Sequence, residues 1–271
     1  MASVDPHAQG MGTRRFGRVN WLGLQTLTIR EIRRFTTVWA QTLMAPVITA
    51  ALFMTVFTLA LGANRGEVHG VPYAQFMAPG ILMMSVIQNA FANSSSSLVI
   101  AKVQGNIVDT LMPPLSAAEL VAGYTIGAVA RGVIVAVVIA LIVFPFVGLV
   151  PSHPIWAILF ILLGATMMAL LGLLGGIFAS KFDQMAAITN FVITPLSFLS
   201  GTFYSINILP EPFRTISHLN PFFYVIDGAR YGFIGQSDAN PWLGLVFVTL
   251  ICAALATLAW RWMKRGYRLK S

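Results

Sequence analysis

Residues 120–147, LVAGYTIGAVARGVIVAVVIALIVFPFV, form a long apolar run in which Arg131 is the one charged residue. A helix needs about 20 such residues to cross the hydrocarbon core of a bilayer, so this run predicts a membrane span. Of the 271 residues, 57% are hydrophobic and 10% are charged. Soluble domains carry roughly 25% charged residues, so this composition excludes an ordinary soluble protein.

Other apolar runs lie on both sides of this one, which predicts an all-α, polytopic membrane protein with six transmembrane helices. No internal repeat of fixed period is visible, so an inverted-repeat transporter is not supported. The fifth span is unusually short and polar. The predicted spans are 38–61, 73–98, 120–147, 155–179, 185–201 and 242–260.

The two ends of the chain are polar or basic. Residues 1–13 are predicted to be disordered, and they show no cleavable signal peptide. Residues 14–37 predict an amphipathic helix whose apolar stripe runs from Trp21 to Phe35, and it is expected to lie in the headgroup layer with its basic face toward anionic lipid. A helix packed on another subunit is the alternative. Residues 261–271 predict a basic cytosolic tail.

Charge predicts the orientation. The chain has 17 Lys and Arg against 9 Asp and Glu, a net charge of +8. The basic residues crowd the termini instead of a folded face, which argues against nucleic acid as a partner. With both termini in the cytosol, inside segments hold 13 of the 17 basic residues and outside segments hold three. The positive-inside rule therefore predicts cytosolic termini.

Motifs for catalysis and metal binding are missing from the sequence. No phosphate loop, Gly-x-Ser-x-Gly or His-Glu-x-x-His occurs, and all four histidines fall outside the predicted spans. The single Cys252 excludes a zinc site built on paired cysteines. Buried carboxylates, which an ion-driven carrier needs, are also missing from the predicted spans. The chain is therefore predicted to be neither an enzyme nor a metal protein by itself.

Polar and small residues within the spans leave several interpretations open. Arg131 either contacts cargo or lipid phosphate, or snorkels toward the membrane surface. The pairs Gly123/Gly127 and Gly172/Gly176 favour close helix packing within one subunit over a dimer seam. Uncharged polar residues either line a translocation route or form interhelical hydrogen bonds: Asn89 and Asn93 in the second span, and Asn190, Thr194 and Ser197 in the fifth.

The segment 202–241 combines prolines with many aromatic and aliphatic residues. A structureless loop of this length is uncommon, and its apolar pieces are too short to cross a bilayer. We therefore expect short helices that enter the outer leaflet and return, with their backbone buried against protein or water. Tyr204 is one of the aromatic residues expected at the interface.

Two stretches resemble a known family. Residues 105–120, GNIVDTLMPPLSAAEL, resemble the cytosolic loop of type-2 ATP-binding-cassette (ABC) exporter permeases. Residues 200–210, SGTFYSINILP, and 218–232, HLNPFFYVIDGARYG, are similar to that family's region before the last span. The resemblance extends from about residue 30 to residue 260.

This resemblance implies a permease that pairs with a second copy or a related chain, a homodimer being favoured, and with a separate ATPase, which binds the ATP and Mg. It implies that loop 101–118 transmits closure of the ATPase to the permease. The residues of this coupling loop are Lys102, Gly105, Asp109, Pro113, Pro114 and Ser116. In the re-entrant segment it points to Gly201, Tyr204, Pro210, Asn220, Pro221, Asp227 and Arg230. The chain itself is expected to bind no cofactor.

The expected function is export of a lipid, glycan-like or hydrophobic compound across the bacterial inner membrane. The alternative is a membrane-embedded lipid-modifying enzyme or a scaffold. An enzyme would need an acid, a base or metal ligands at the interface, and the only dense candidates are Asp227, Arg230, Glu211 and His218. Their spacing matches no catalytic arrangement.

Overall fold

Regular structure is almost entirely helical in the computed structural model, which describes residues 19–59 and 67–268. Short π-helical turns, Ala40–Met44 and Thr189–Ile193, precede α2 and α8, and a 3-10 turn covers Ile206–Ile208. Two short strands, β1 (Glu67–Val68) and β2 (Val71–Pro72), pair antiparallel. The helices are α1 (Trp21–Thr37), α2 (Ala45–Phe57), α3 (Tyr73–Val103), α4 (Ile107–Leu111), α5 (Ala117–Val147), α6 (Pro154–Phe178), α7 (Phe182–Ile188), α8 (Thr194–Phe198), α9 (Phe213–Leu219), α10 (Pro221–Ile234) and α11 (Pro241–Arg265).

Four helical segments of the described chain are long and apolar enough to cross a membrane: Ala40–Phe57, α5, α6 and α11. They confirm the first, third, fourth and sixth predicted spans as helices, so the chain is a polytopic helical membrane protein. The second predicted span lies in α3, which is long but carries a polar Asn- and Ser-rich stretch. The fifth is divided among α7, a π-helical turn and α8. A count of six spans stays a prediction.

Helix α3 is the core of the molecule. It packs against α5, α6 and α10, and most of its residues are buried, including Phe76, Leu82 and Phe91. Its polar stretch is tolerated because it faces protein: the Ser94 hydroxyl donates to the Ala169 carbonyl of α6 at 2.7 Å. Intramembrane polar groups are expected to find such partners.

The glycine pairs lie at two of the helix contacts. A Cβ on Gly172 would lie 2.4 Å from the Phe91 carbonyl of α3, and one on Gly127 would lie 2.4 Å from the Glu31 Cβ of α1. Both pairs therefore pack helices within one chain, as predicted, because a larger residue would hold the helices apart.

Helix α1 begins at Trp21, not at residue 14, because the Asn20 side chain caps it by accepting a hydrogen bond from the Gly23 N–H at 3.0 Å. Residues 1–18, including the segment predicted to be disordered, lie outside the described residues. The residues that α1 buries within the chain coincide with the predicted apolar stripe only at Phe35. The residues that α1 buries are Leu27, Glu31 and Phe35, whereas Trp21 is 71% exposed.

Two further boundaries differ from the prediction. Helix α3 continues to Val103 and α5 begins at Ala117, so loop 101–118 is shorter than expected and contains the one-turn helix α4. Helix α11 continues through Arg265, so the first half of the predicted basic tail is helical. Residues 269–271 lie outside the described part.

Candidate functional site

Loop 101–118 is anchored at its C-terminal end by a capping box. The Ser116 hydroxyl accepts from the Glu119 N–H at 3.3 Å, and the Glu119 carboxylate accepts from the Ser116 N–H at 2.6 Å. Glu119 also accepts from the Asn20 N–H at 2.6 Å, and the Asn20 side chain donates to the Pro114 carbonyl at 3.1 Å. The loop, the start of α1 and the start of α5 are thus fixed together.

Helix α4 presents one face of this loop to solvent. Ile107 and Thr110 are buried against the body of the protein. Val108 is 55% and Met112 76% exposed, and the Asp109 carboxylate is exposed beside them. Gly105, at φ +73°, supplies the left-handed turn that separates α3 from α4. The loop therefore offers two apolar side chains and one negative charge on its surface.

A groove of about 370 Å³ lies beside this surface, between α1 and the loop. Thr26 and Arg30 line it from α1, and Asp109, Pro113 and Pro114 line it from the loop. Of the predicted coupling residues, Gly105, Asp109, Pro113, Pro114 and Ser116 are all exposed.

Lys102 does not have the surface position that its predicted coupling role requires. Its Nζ donates to the carbonyl oxygens of Gly176 at 2.9 Å and of Ala179 at 3.1 Å, and also to that of Ile177. These are the unpaired carbonyls at the end of α6, where a cation is favourable. Lys102 therefore caps α6 and does not offer its charge to a partner surface, which sequence spacing does not reveal.

A buried carboxylate, Glu31, organises the contact between α1 and the core. Its side chain is 1% exposed and lies 3.0 Å from Arg30 Nη2 and 3.3 Å from Arg34 Nε. It also accepts from the Ser97 hydroxyl of α3 at 2.9 Å. Burial of a carboxylate is tolerated when it is paired and hydrogen-bonded in this way. We call Arg30, Glu31, Arg34 and their direct partners the Glu31 cluster.

The two arginines of the Glu31 cluster extend it to three other elements. Arg30 donates to the Thr110 hydroxyl of α4 at 3.0 Å and to the Tyr124 hydroxyl of α5 at 3.2 Å. Arg34 donates to the Asn93 side-chain oxygen of α3 at 3.0 Å. Arg30 and Arg34 of the basic face are thus bonded to protein groups, although the Arg30 side chain is still 47% exposed; the orientation of this face toward anionic lipid stays a prediction.

A polar cavity of about 570 Å³ lies between the start of α2, the middle of α3 and Arg131 of α5. Arg131 donates through Nε and Nη2 to the Asn89 side-chain oxygen at 3.1 and 2.9 Å. The remaining lining residues are Val38, Gln41, Thr42, Ala45, Pro46, Thr49, Ser85, Gln88, Ser96 and Ile100.

The residues suggested as a route do not form one cluster. Asn89 lines the cavity with Arg131, whereas Asn93 is bound by Arg34. Asn190 is exposed on a π-helical turn, Thr194 is half-buried, and the buried Ser197 donates to the Ile193 carbonyl at 2.7 Å. Within residues 19–59 and 67–268, no hydrogen bond joins this second group to the first.

Asp238 anchors the segment 202–241, and the sequence alone did not single it out. Its carboxylate accepts from the Ser205 hydroxyl at 2.6 Å, the Asn207 amide at 3.0 Å and the Ile206 N–H at 3.0 Å. His69 Nε2 lies 2.9 Å from the same carboxylate. Asp238, near the end of this segment, therefore joins residues 205–207 near its start to His69 of the β1–β2 turn.

Asp227 and Arg230 are a buried pair at 3.6 Å. Asp227 accepts from the N–H groups of Asp238 at 2.8 Å and Ala239 at 2.9 Å. Arg230 lies over the Phe76 ring, 4.1 Å from its centroid, and donates to the Gly201 carbonyl. These contacts place α10 against α3, which is a packing role.

The other predicted residues of this segment shape its backbone. Asn220 caps α10, since its side chain accepts from the Phe222 N–H at 3.0 Å, and Pro221 is the first residue of that helix. Gly201 adopts φ +72°. Pro210 is exposed, and Tyr204 is half-buried, where burial raises the pKa of its phenol.

The residues of the enzyme alternative are not gathered into a catalytic site. Glu211 accepts from the Thr215 hydroxyl at 2.7 Å on the surface, and His218 packs edge-on against Phe223. Among the residues that the structure describes, no group of three His, Cys, Asp or Glu side chains could hold a metal ion.

Comparison with known proteins gives consistent matches along the chain. The family described as ABC-2 type transporter matches residues 23–234. The inner membrane transport permease YadH of Escherichia coli (strain K12) is 39% identical over 251 residues, covering 93% of this chain and 98% of that protein. Nodulation protein J of Rhizobium leguminosarum bv. viciae is 25% identical over 263 residues, covering 92% of this chain and 96% of that protein.

Proposed function

The chain belongs to the ABC-2 type transporter family of membrane permeases, and from that premise we propose that it is one half of a homodimeric exporter. Permeases of this family are non-catalytic, and a partner subunit binds the nucleotide and hydrolyses it. The protein is a multi-pass inner-membrane subunit of such a transporter. The proposed cargo is a lipid, a glycan-like compound or a hydrophobic compound.

The observation that carries the coupling proposal is the exposed face of α4, formed by Val108 and Asp109 together with Met112, which directly follows the helix. Apolar side chains together with one charge suit a protein partner, because the charge adds orientation to the contact. We assign this face to the ATPase. Pro113 and Pro114, beside the groove next to α1, extend the same surface.

The Glu31 cluster supplies a physical link from that face to the membrane helices. A displacement of α4 acts on Arg30 through Thr110, and Arg30 shares Glu31 with Arg34, which binds Asn93 of α3. Coupling between distant sites needs a contiguous arrangement of this kind or a two-state element. We propose that ATPase closure shifts α1 and α4 together.

The proposed topology has six spans with both termini in the cytosol. Basic residues at both ends support the orientation. With 31 residues, α3 rises about 46 Å at ~1.5 Å per residue, which exceeds the thickness of a bilayer core. The segment 202–241 is then an external re-entrant unit held by Asp238.

A second copy of the chain would complete the translocation route. The cavity beside Arg131 is lined by parts of three helices, and α2 next to it exposes Ile48, Leu52 and Val56 along one stripe. A polar route through a bilayer has to be enclosed by protein. Pairing of two α2 stripes would enclose the two cavities, with Asn89 on the route.

The test of the coupling proposal is a pair of substitutions in the loop. Asp109→Lys reverses the charge on the exposed face, and Gly105→Val strains the left-handed turn. In a mild-detergent purification of the tagged chain, we expect several-fold less ATPase subunit to be recovered with either variant, at unchanged amounts of permease. Glu211→Lys, a charge reversal at an exposed site of segment 202–241, is the matched control. Full ATPase recovery with both loop variants would refute the assignment.

A further inference from the structure

Arg131 lies near the midpoint of α5, far from both helix ends. At ~1.5 Å per residue it is about 20 Å along the axis from Ala117. Its guanidinium turns sideways to Asn89 of α3 instead of along its own helix toward a membrane surface. Snorkelling, the simpler explanation of the sequence, therefore does not describe this side chain. Charged residues at this depth are costly and generally functional.

The positive charge of Arg131 is not balanced within the described chain. Arg34 pairs with Glu31, Arg230 pairs with Asp227, and Lys102 caps three carbonyl oxygens. Arg131 bonds only to a neutral amide oxygen, and none of the four ion pairs among residues 19–59 and 67–268 includes it. A cation in a low-dielectric site without a counter-charge favours an anion beside it.

The cavity around Arg131 has the composition of an anion site. Amide and hydroxyl groups line it, and no carboxylate is among its described lining residues. Ser96, which lines the cavity, accepts from Arg34 Nη1 at 3.1 Å, and the charge of Arg34 is already paired with Glu31, so Arg131 supplies the charge that an anion would meet. The volume of about 570 Å³ lies within the usual range for small-molecule sites. Val38, Pro46 and Ile100 add apolar surface to its lining.

We propose that this cavity binds the anionic headgroup of an amphiphile, with its phosphate or carboxylate group on Arg131 and the start of its apolar chain against Val38, Pro46 and Ile100. The proposal rests on the permease function above and narrows its cargo to acidic amphiphiles. A phospholipid of the surrounding bilayer has the same headgroup chemistry as such a cargo, so the test has to separate these two sources.

The experiment uses the full chain, purified with its co-purifying subunits and reconstituted in phosphatidylcholine nanodiscs. Phosphatidylglycerol is titrated in, and bound lipid is counted by native mass spectrometry. In parallel, compounds that co-purify from the cells are extracted and identified. Arg131→Gln is expected to weaken anionic lipid binding roughly tenfold or more, since it removes a charge-assisted contact. Arg131→Lys should retain most of the binding.

Two further variants make the result specific. Arg214→Gln removes an equal charge from an exposed residue of α9 and should bind like the wild type. Thr49→Trp fills the cavity from α2 without changing any charge and should also weaken binding. If Arg131→Gln fails to fold, Thr49→Trp decides the matter: binding equal to wild type in that variant overturns the proposal.

The outcomes separate the sources and the two proposals. Loss of phosphatidylglycerol binding in Arg131→Gln supports a bilayer lipid, whereas loss of only a co-purified acidic amphiphile supports a cargo. Unchanged binding and unchanged extracts overturn the anion site. Recovery of an ATPase subunit in the same samples reports on the proposed ATPase docking independently. ATPase present with unchanged binding refutes the anion site alone, and ATPase absent with Arg131-dependent binding counts against the proposed docking alone.

Discussion

Glu31 illustrates how one residue determines the position of a whole helix. It is the buried charge in an otherwise basic segment, REIRR at 30–34, and it holds two arginines on the protein. Without it, Arg34, whose side chain is 29% exposed, would lack a counter-charge, and burying an unpaired guanidinium group is costly. The acidic residue within a basic stretch is a signal that the sequence contains, but amphipathic periodicity alone does not reveal its meaning.

Substitution of this residue has a measurable consequence. Glu31→Gln removes the charge that both arginines share, and we expect it to destabilise the docking of α1 by roughly 1–3 kcal/mol. Thermal unfolding of the purified protein in detergent measures the change. Arg33→Gln, at an exposed position of the same helix, should leave the midpoint unchanged. Equal midpoints for Glu31→Gln and the wild type would refute this role of the cluster.

Helix packing is set by small residues where α3, α5 and α6 approach one another. Gly172 and Gly176 of α6 face the backbone of α3, so these two helices are in near-backbone contact. This closeness brings Ser94 within hydrogen-bonding distance of Ala169 and brings Lys102 to the end of α6. In a bilayer, packing and hydrogen bonds of this kind replace the hydrophobic effect as the force between helices.

A matched pair of glycines tests this packing. Gly172→Ala puts a Cβ 2.4 Å from the Phe91 carbonyl, which is backbone and cannot move away alone. We expect a loss of about 1–3 kcal/mol. Gly175→Ala meets the flexible end of Met185 at 3.4 Å and the Phe91 ring at 3.8 Å, which are ordinary contacts, and should change stability within about 0.5 kcal/mol. Unfolding midpoints in detergent compare the two. Equal effects would contradict the packing argument.

The elements divide into those that the sequence predicts and those that it does not. Uniform apolar runs, such as 120–147 and 155–179, predict their helices within a few residues, because length and hydropathy alone decide them. Helix boundaries set by a cap, such as Asn20 at α1, are not predicted, since a continuing polar pattern hides the start. The partners of Lys102 and Asp238 lie far away along the chain, and no local pattern encodes such contacts.

The candidate site was predicted in part for the same reason. Asp109 and Gly105 are exposed as a surface loop requires, and those positions follow from local sequence. The sequence predicts only part of the cavity: it indicates Asn89 and Arg131 separately, but their contact depends on how α3 and α5 cross. Interhelical geometry is decided by the packing of whole helices, so side chains on different spans cannot be paired from one sequence.

The whole molecule is organised as a core of buried helices with two less buried ones beside it. The first span, Ala40–Phe57, and α11 bury few of their residues within the chain. An apolar surface of that kind faces either lipid or another subunit. In the proposed homodimer, the α2 stripe meets its copy and α11 remains in lipid.

Cysteine cross-linking tests this arrangement. Ile48→Cys, in a background with Cys252→Ala, should form a covalent dimer of the chain in native membranes when an oxidant is added, because the two α2 stripes would face each other. Leu250→Cys, which is 64% exposed on α11, should not. Denaturing electrophoresis without reductant gives the readout. Cross-linking from α11 with none from α2 would contradict the proposed pairing.

The most direct test of the central claim, that the exposed face of α4 docks a separate ATPase, is site-specific photo-cross-linking in living cells. A photoreactive amino acid replaces Met112, which is 76% exposed on the loop, or Ile208, which is 63% exposed in segment 202–241. We expect an adduct from position 112 that contains an ATP-binding-cassette subunit, and no such adduct from position 208. An ATPase adduct from position 208, with none from position 112, would contradict the account.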